Sequence, residues 1–130
     1  MNIRLALLLT HDADFEKNVT ETLKESGTEI LITHDVDHAL EMACQRAARL
    51  DLAIIDRSDC HAITLLSALK TLQHDLPVIV MTVSDSCQCA ALAYANGAAA
   101  CLVKPIAAAD FKVVLRQLCE PKLKLTEVRI

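Results

Sequence analysis

The stretch 6-ALLLTHDADF-15 changes from apolar to polar residues in a single step. Its apolar residues and those just before it, interrupted only by Arg4, predict a buried strand over residues 3–9. Thr10, His11 and Asp12 follow immediately, and Phe15 opens the apolar face of the next segment. A buried strand that ends abruptly in polar side chains is typical of a strand that points at a functional site.

The same strand-then-helix pattern occurs five times along the chain. Continuous apolar runs predict strands at 3–9, 29–33, 52–55, 78–82 and 100–103. Apolar residues spaced three or four apart predict amphipathic helices at 14–26, 36–49, 62–73, 85–96 and 108–118. Gly27 and Gly97 follow two of these helices, as expected at a helix C-terminus. The alternation predicts an α/β fold, in which a parallel sheet with right-handed crossovers carries helices on both faces.

Length and composition limit the classes of function. The 130 residues suffice for one domain with a full core, predicted at 1–119 and followed by a tail or linker at 120–130. A net charge of −4 and an aromatic content of 2% argue against a nucleic-acid partner, because phosphates attract positive charge and bases stack on aromatic rings. Residues 86–103 carry no charge. Since Asn96 and Gly97 interrupt them, we predict a helix, a turn and a strand there rather than a membrane span.

The six cysteines are expected to be reduced. No secretion signal is recognisable at the start of the sequence, and a cytoplasmic chain keeps its thiols reduced. Cys87 and Cys89 form a Cys-x-Cys pair that suits a soft metal, but no second pair of cysteines or histidines stands at a zinc-like spacing. We therefore predict a cytoplasmic protein whose cysteines behave as small apolar residues.

The residues that follow each strand are predicted to lie together, because the carboxyl ends of parallel strands meet at one edge of the sheet. They are Thr10, His11 and Asp12 after the first strand, Asp56 after the third, Thr82 and Ser84 after the fourth, and Lys104 and Pro105 after the fifth. A carboxylate nucleophile requires a cation for the charge of the incoming group and a donor for its oxygens. Asp56, Lys104 and Thr82 suit these three roles. The alternatives are that Asp56 caps a turn, that Thr82 is only a strand residue and that Lys104 is a surface lysine.

Five segments, taken in order, resemble the receiver domain of two-component response regulators: 12-DADF-15, 27-GTEILITHDVDHALEMA-43, 50-LDLAIID-56, 77-PVIVMTVSD-85 and 97-GAAACLVKPI-106. The resemblance covers about residues 3–118 and implies a five-stranded parallel sheet of flavodoxin-like type in the order 2-1-3-4-5, with five helices on its two faces. It implies that Asp56 accepts a phosphoryl group, that the Thr82 hydroxyl senses this group and that Lys104 is its counter-ion. It also implies a cis peptide bond before Pro105.

The sequence departs from this family at three places. Receivers end their first strand in two adjacent acids that hold Mg²⁺, and Thr10 and His11 stand at those positions here. Three residues before the lysine, receivers carry an aromatic switch residue, where this chain has Cys101. The loop 57-RSDCHA-62 lacks the usual Pro and Gly. Because a hydroxyl and an imidazole suit Mg²⁺ poorly, we predict weak Mg²⁺ binding through Asp56. Asp12 is a second candidate ligand, although its position favours a helix cap.

The predicted function is that of a phosphorelay receiver, a signalling switch rather than an enzyme. Asp56 would take a phosphoryl group from a sensor histidine kinase or a phosphotransfer protein, and the domain would then change its contacts with an output domain or protein. The first alternative is a pseudo-receiver that acts by protein contact without phosphorylation. A remote alternative is a flavodoxin-like redox carrier, which the shortage of aromatic residues to hold a flavin disfavours.

The uncharged segment 86–103 also predicts a protein-contact face on the fourth helix and fifth strand. A helix with one solvated face normally carries several charges there. The surface around Ala91 and Tyr94, with Cys101 on the adjacent strand, is therefore expected to bind a partner or a second copy of the chain in a homodimer.

Overall fold

The computed structural model describes residues 3–45, 49–57, 59–83 and 87–119, in which strands and helices alternate. The strands are β1 (Leu5–Leu9), β2 (Glu29–Thr33), β3 (Leu52–Asp56), β4 (Val78–Thr82) and β5 (Ala100–Val103). The helices are α1 (Ala13–Lys24), α2 (Val36–Gln45), α3 (Cys60–Leu72), α4 (Cys87–Ala95) and α5 (Ala108–Cys119). Ser84 and the predicted tail at 120–130 lie outside the described residues.

The five strands form one parallel sheet in the order β2-β1-β3-β4-β5, which confirms the predicted α/β fold and strand order. The chain runs outward from β1 to β2 and then returns past β1 to β3, so the strand order reverses between β1 and β3. Leu9 pairs with Ile55 across these two strands. Their polar continuations, Thr10 and Asp56, therefore emerge next to each other at the point where such sheets bind ligands.

Alternate residues of each buried strand pack against opposite helix layers, as the two-residue period of a strand requires. On one face, Leu8 and Ile54 pack in a cluster with Phe15 of α1 and Phe111 of α5. On the other face, the cluster joins strand residues to the helices α2, α3 and α4; its members include Leu7, Ile55, Leu65, Leu66 and Ala93. The sheet is thus covered on both sides, which explains why its strands are continuous apolar runs.

Several boundaries differ from the predicted ones, most of them by one or two residues. β1 begins at Leu5 rather than Ile3, because the Ile3 carbonyl accepts a hydrogen bond from the Thr28 hydroxyl at 2.7 Å instead of joining the ladder. α3 begins at Cys60, two residues early, because the Asp59 side chain caps it by accepting from the amides of residues 61 and 62. α2 is described to Gln45, residues 46–48 lie outside the described residues, and Arg49, the predicted last residue, is not helical.

The uncharged segment forms the predicted helix, turn and strand, as α4, the residues around Gly97 and β5. Gly97 has a φ of 99°, a left-handed conformation that glycine adopts without a steric penalty. No helix within the described ranges is long and apolar enough to cross a membrane. Cys44, Cys89 and Cys101 are free thiols.

Candidate functional site

Asp56 ends the central strand β3 and lies almost entirely inside the protein, with its side chain 8% exposed. One of its oxygens, Oδ2, accepts two hydrogen bonds. The Thr10 hydroxyl donates at 2.6 Å and the Lys104 ammonium donates at 2.9 Å. Residues from the ends of three different strands, 46 and 48 positions apart in sequence, therefore meet at one carboxylate oxygen.

Lys104 follows the edge strand β5, and its backbone and side chain are both held in place. Its amide donates to the Thr82 carbonyl at 2.7 Å, and its peptide bond to Pro105 is cis. The ammonium lies 4.9 Å from the centre of the Phe15 ring, a cation–π distance. With the side chain only 15% exposed, the ammonium is directed at the end of the sheet rather than at solvent.

Asp12 uses its two oxygens for two different contacts. Oδ1 caps α1 by accepting from the amides of Asp14 and Phe15, each at 3.1 Å. Oδ2 accepts from the Lys104 ammonium at 2.6 Å. The predicted cap is confirmed, and the cap does not keep Asp12 away from the site, because the two roles fall on different oxygens.

The two residues at the positions of the usual acidic pair point to different surroundings. Thr10 is fully buried, and its hydroxyl both donates to Asp56 and accepts from the Asp12 amide at 3.0 Å. His11 is exposed and lies against His34, with ring centroids 5.8 Å apart. The imidazole of His34 in turn donates from Nδ1 to the Thr10 carbonyl. Thr10 is therefore part of the site, whereas His11 lies on its outer surface.

Thr82 is buried at the end of β4, 3% exposed, one residue beyond the partner of Asp56 in the ladder. It lines an apolar cavity of about 180 Å³ between the sheet and α3 and α4, together with Cys89 and Cys101. Burial and the neighbouring Cys89 raise the pKa of the Cys101 thiol, so this cysteine stays protonated and apolar near neutral pH. Cys101, three residues before Lys104, thus lines this cavity.

The charges at this edge of the sheet stabilise one another. Burial disfavours the charged form of Lys104, but hydrogen bonds to Asp12 and Asp56 outweigh it, and the pKa of Lys104 is raised above its ordinary value. The Lys104 ammonium and the amides of α1 lower the pKa of Asp12. Near neutral pH Lys104 is therefore an ammonium and Asp12 a carboxylate.

Several contacts at the site were missed by reasoning from the sequence. Phe15 was assigned to the core alone, yet its ring also supports the Lys104 ammonium. Arg57 was treated only as part of an atypical loop, yet its guanidinium contacts the Asp59 cap of α3 at 2.8 Å. The i, i+2 spacing of Arg57 and Asp59 is a signal that could have indicated this pair.

On the predicted contact face, Ala91 and Tyr94 are exposed, but Cys101 is only partly exposed and packs against the core. The Tyr94 hydroxyl instead accepts a hydrogen bond from the Cys101 amide at 3.0 Å, on the edge strand of the sheet. Leu92 on α4 and Val103 at the end of β5 are further exposed apolar residues on these two elements. The face is thus formed by α4 and the end of β5, without the Cys101 side chain at its centre.

Several solved structures share this fold. A putative response regulator from Chloroflexus aurantiacus has a TM-score of 0.79 at 17% identity, and the match covers 92% of this chain and 100% of that one. The chemotaxis protein CheY4 of Vibrio cholerae has a TM-score of 0.77 at 22% identity, over 89% and 98% of the two chains. The receiver domain of NtrX from Brucella abortus has a TM-score of 0.75 at 25% identity, over 90% and 99%.

Comparison of the sequence with family models agrees with the fold. No curated protein matches the chain. The model of the response regulator receiver domain, however, matches residues 7–116, which include every residue of the site just described. The chain therefore belongs to the response regulator receiver domains, the signalling modules of two-component systems.

Proposed function

We propose that this chain is a phosphoacceptor receiver in which Asp56 takes a phosphoryl group from a sensor histidine kinase or a phosphotransfer protein. The observation that carries the proposal is the contact of Lys104 with the buried Asp56 carboxylate at 2.9 Å, at the end of the central strand. A buried carboxylate with an adjacent ammonium combines a nucleophile with a cation for the charge of the incoming group. The remote alternative of a flavodoxin-like redox carrier finds no support in the family match.

In the proposed transfer, an Asp56 oxygen forms a bond to the phosphorus of a phosphohistidine. The phosphorus–nitrogen bond breaks, and the imidazole nitrogen keeps the electron pair and takes up a proton. Lys104 offsets the charge of the phosphoryl oxygens, and the Thr82 hydroxyl becomes a donor to one of them. Because Thr82 also lines the cavity beside α4, its movement would change the packing of that helix.

The test is the intact mass of the protein after incubation with a small phosphodonor such as acetyl phosphate. The wild type is expected to gain one phosphoryl group and Asp56→Asn none. Asp12→Asn is the matched control, because it removes the other carboxylate that contacts Lys104 while keeping a side chain that caps α1. It should still be labelled. Equal labelling of Asp56→Asn and wild type would show that Asp56 is not the acceptor.

A second candidate function is that of a pseudo-receiver, which works through protein contacts alone. It is favoured by Thr10 and His11, which replace the acidic pair, and it predicts no labelling of the wild type at any phosphodonor concentration. Receiver domains act with histidine kinases and output domains, and both candidate functions need a contact surface for them. We propose the face of α4 and β5 for this contact, or for a homodimer.

Receiver domains typically bind Mg²⁺ at an acidic pocket, but the donors around Asp56 fit this ion poorly. Mg²⁺ requires near-octahedral oxygen ligands and usually one or two free carboxylates. Here, Asp56 and Asp12 both face an ammonium, and Thr10 offers a neutral hydroxyl. Within the described residues, no cluster of three His, Cys, Asp or Glu side chains is arranged for a metal. We therefore expect Mg²⁺ affinity in the millimolar range or weaker, and slow labelling of Asp56.

A further inference from the structure

The cation that offsets the charge of Asp56 belongs to the chain itself. The Lys104 ammonium lies 2.6 Å from Asp12 Oδ2 and 2.9 Å from Asp56 Oδ2, so it bridges the two carboxylates. The Lys104–Asp56 half of the bridge is largely withdrawn from solvent, with side-chain exposures of 15% and 8%, whereas Asp12 is 40% exposed. Charge pairs of this kind are screened much less by salt than pairs on the surface.

Thr10 completes the arrangement from the side of β1. Its hydroxyl hydrogen points at Asp56 Oδ2, and one of its two lone pairs accepts from the Asp12 amide. An aspartate at this position would add a third negative charge, which a divalent ion would have to balance. With threonine, the carboxylate of Asp56 has two donors on one oxygen and needs no metal to be stable inside the fold.

A divalent ion bound between Asp12 and Asp56 would have to displace the Lys104 ammonium from both of them. The displaced ammonium would remain within a few ångströms of the metal, since it also lies 4.9 Å from the centre of the Phe15 ring. Repulsion between like charges at that distance, in a site only partly open to water, opposes binding. Lys104 and a divalent metal are therefore competitors for one position.

We infer that Lys104, assisted by Thr10, takes the place of the divalent ion in this receiver, so that the site folds and works without Mg²⁺. For its catalytic part the inference rests on the proposed function of Asp56. It leads to an unusual expectation: removing a cation from the site, by Lys104→Met, should create a metal site, because Asp12 and Asp56 are then left without a counter-charge.

The test compares thermal unfolding of the full chain in EDTA and across a Mg²⁺ titration. The melting temperature of the wild type should be the same in both. Lys104→Met should melt lower in EDTA, and Mg²⁺ should raise its melting temperature with an affinity roughly tenfold or more above that of the wild type. Lys104→Arg keeps the charge and should stay indifferent to Mg²⁺. Lys112→Met is the matched control, since Lys112 pairs with Glu25 on the surface, away from Asp12 and Asp56, and it should show no Mg²⁺ response.

Thr10→Asp provides a second variant in case Lys104→Met does not fold. Its added carboxylate should also produce a Mg²⁺-dependent rise in melting temperature. Micromolar Mg²⁺ binding by the wild type, or an equal Mg²⁺ response of the wild type and both variants, would overturn the inference.

Labelling by the phosphodonor distinguishes a failure of this inference from a failure of the proposed phosphoacceptor function of Asp56. Wild-type labelling at equal rates in EDTA and in Mg²⁺ would support both, and labelling that requires Mg²⁺ would contradict the inference alone. If the wild type is never labelled, the proposed phosphoacceptor function fails, and the unfolding experiment still decides the role of Lys104.

Discussion

At the scale of single residues, Thr10 illustrates how one hydroxyl can connect three parts of a site. It donates to the end of β3, accepts from the start of α1 and is itself the continuation of β1, all at zero exposure. A buried hydroxyl that both donates and accepts a hydrogen bond lowers the free energy of unfolding little. A buried partner left without its hydrogen bond lowers it by the desolvation penalty of a polar or charged group.

Replacing Thr10 by valine is therefore expected to lower the free energy of unfolding by about 1–3 kcal/mol. Valine fills nearly the same volume but leaves Asp56 with one donor fewer and the Asp12 amide without its acceptor. Thr10→Ser, which keeps the hydroxyl, should lose clearly less. Urea denaturation followed by circular dichroism measures both. Equal losses for the two variants would mean that packing of the methyl group, rather than hydrogen bonding, accounts for the effect.

The directions of the Thr10 and His11 side chains could not be predicted from the sequence. Adjacent positions at the end of a strand face opposite sides, so only one of Thr10 and His11 could reach Asp56. The sequence placed both at the site, but the side that each one faces depends on the path of the chain between β1 and α1. Asp12 determines that path by capping α1 with one oxygen and contacting Lys104 with the other.

At the scale of elements, caps decide where helices begin. The start of α3 was predicted two residues late because only its apolar positions were counted, whereas Asp59 begins the helix by accepting backbone hydrogen bonds. By contrast, β2, β4 and β5 have the predicted bounds, because the change from apolar to polar residues coincides with the end of the ladder in each. Patterns of burial locate strands well, and hydrogen bonds of single side chains adjust the ends of helices.

Asp59→Ala should lower the free energy of unfolding by about 1 kcal/mol through loss of the α3 cap, whereas Asp59→Asn, which can still cap, should lower it less.

Arg57 beside Asp59 holds the pKa of this carboxyl well below its usual range. The stability that this provides is present above the ordinary pKa of about 3.8 and is lost as the pH falls toward the folded-state value. Both variants should therefore show less acid destabilisation than the wild type in urea unfolding at pH 7 and pH 3. A wild-type pH dependence in Asp59→Asn would argue against this ion pair.

At the scale of the whole molecule, five alternating units and a sheet covered on both faces followed from hydrophobic periodicity alone. The strand order did not, because periodicity does not state on which side of β1 each crossover returns. That order came from the resemblance of five short segments to one family, and the sheet confirms it. The candidate site residues were predicted from the strand ends themselves, because the carboxyl ends of parallel strands meet at one edge, whereas which of them are in direct contact depends on the strand order.

The exposed apolar face of α4 and β5 leads to a prediction about assembly. If a second copy covers it, the wild type should sediment as a dimer at concentrations of tens of micromolar, corresponding to about −6 to −7 kcal/mol of association free energy or better. Ala91→Glu should sediment as a monomer, because it buries a charge in that contact. Leu72→Glu is the control. Leu72 is the last residue of α3, is 54% exposed and is not part of the proposed face, so this variant should remain dimeric. If the wild type stays monomeric, the homodimer prediction is wrong, and the proposed partner of this face is a different protein.

The hydrogen bond between the Tyr94 hydroxyl and the β5 edge has an optical consequence. The chain contains one tyrosine and no tryptophan, so nearly all of its ultraviolet emission originates from a single phenol ring. That ring is half exposed on α4, and its hydroxyl accepts from the Cys101 amide. The protein thus carries its own label-free fluorophore at the face where partners are proposed to bind. The intensity and anisotropy of this emission report on that location alone, without contributions from the rest of the fold.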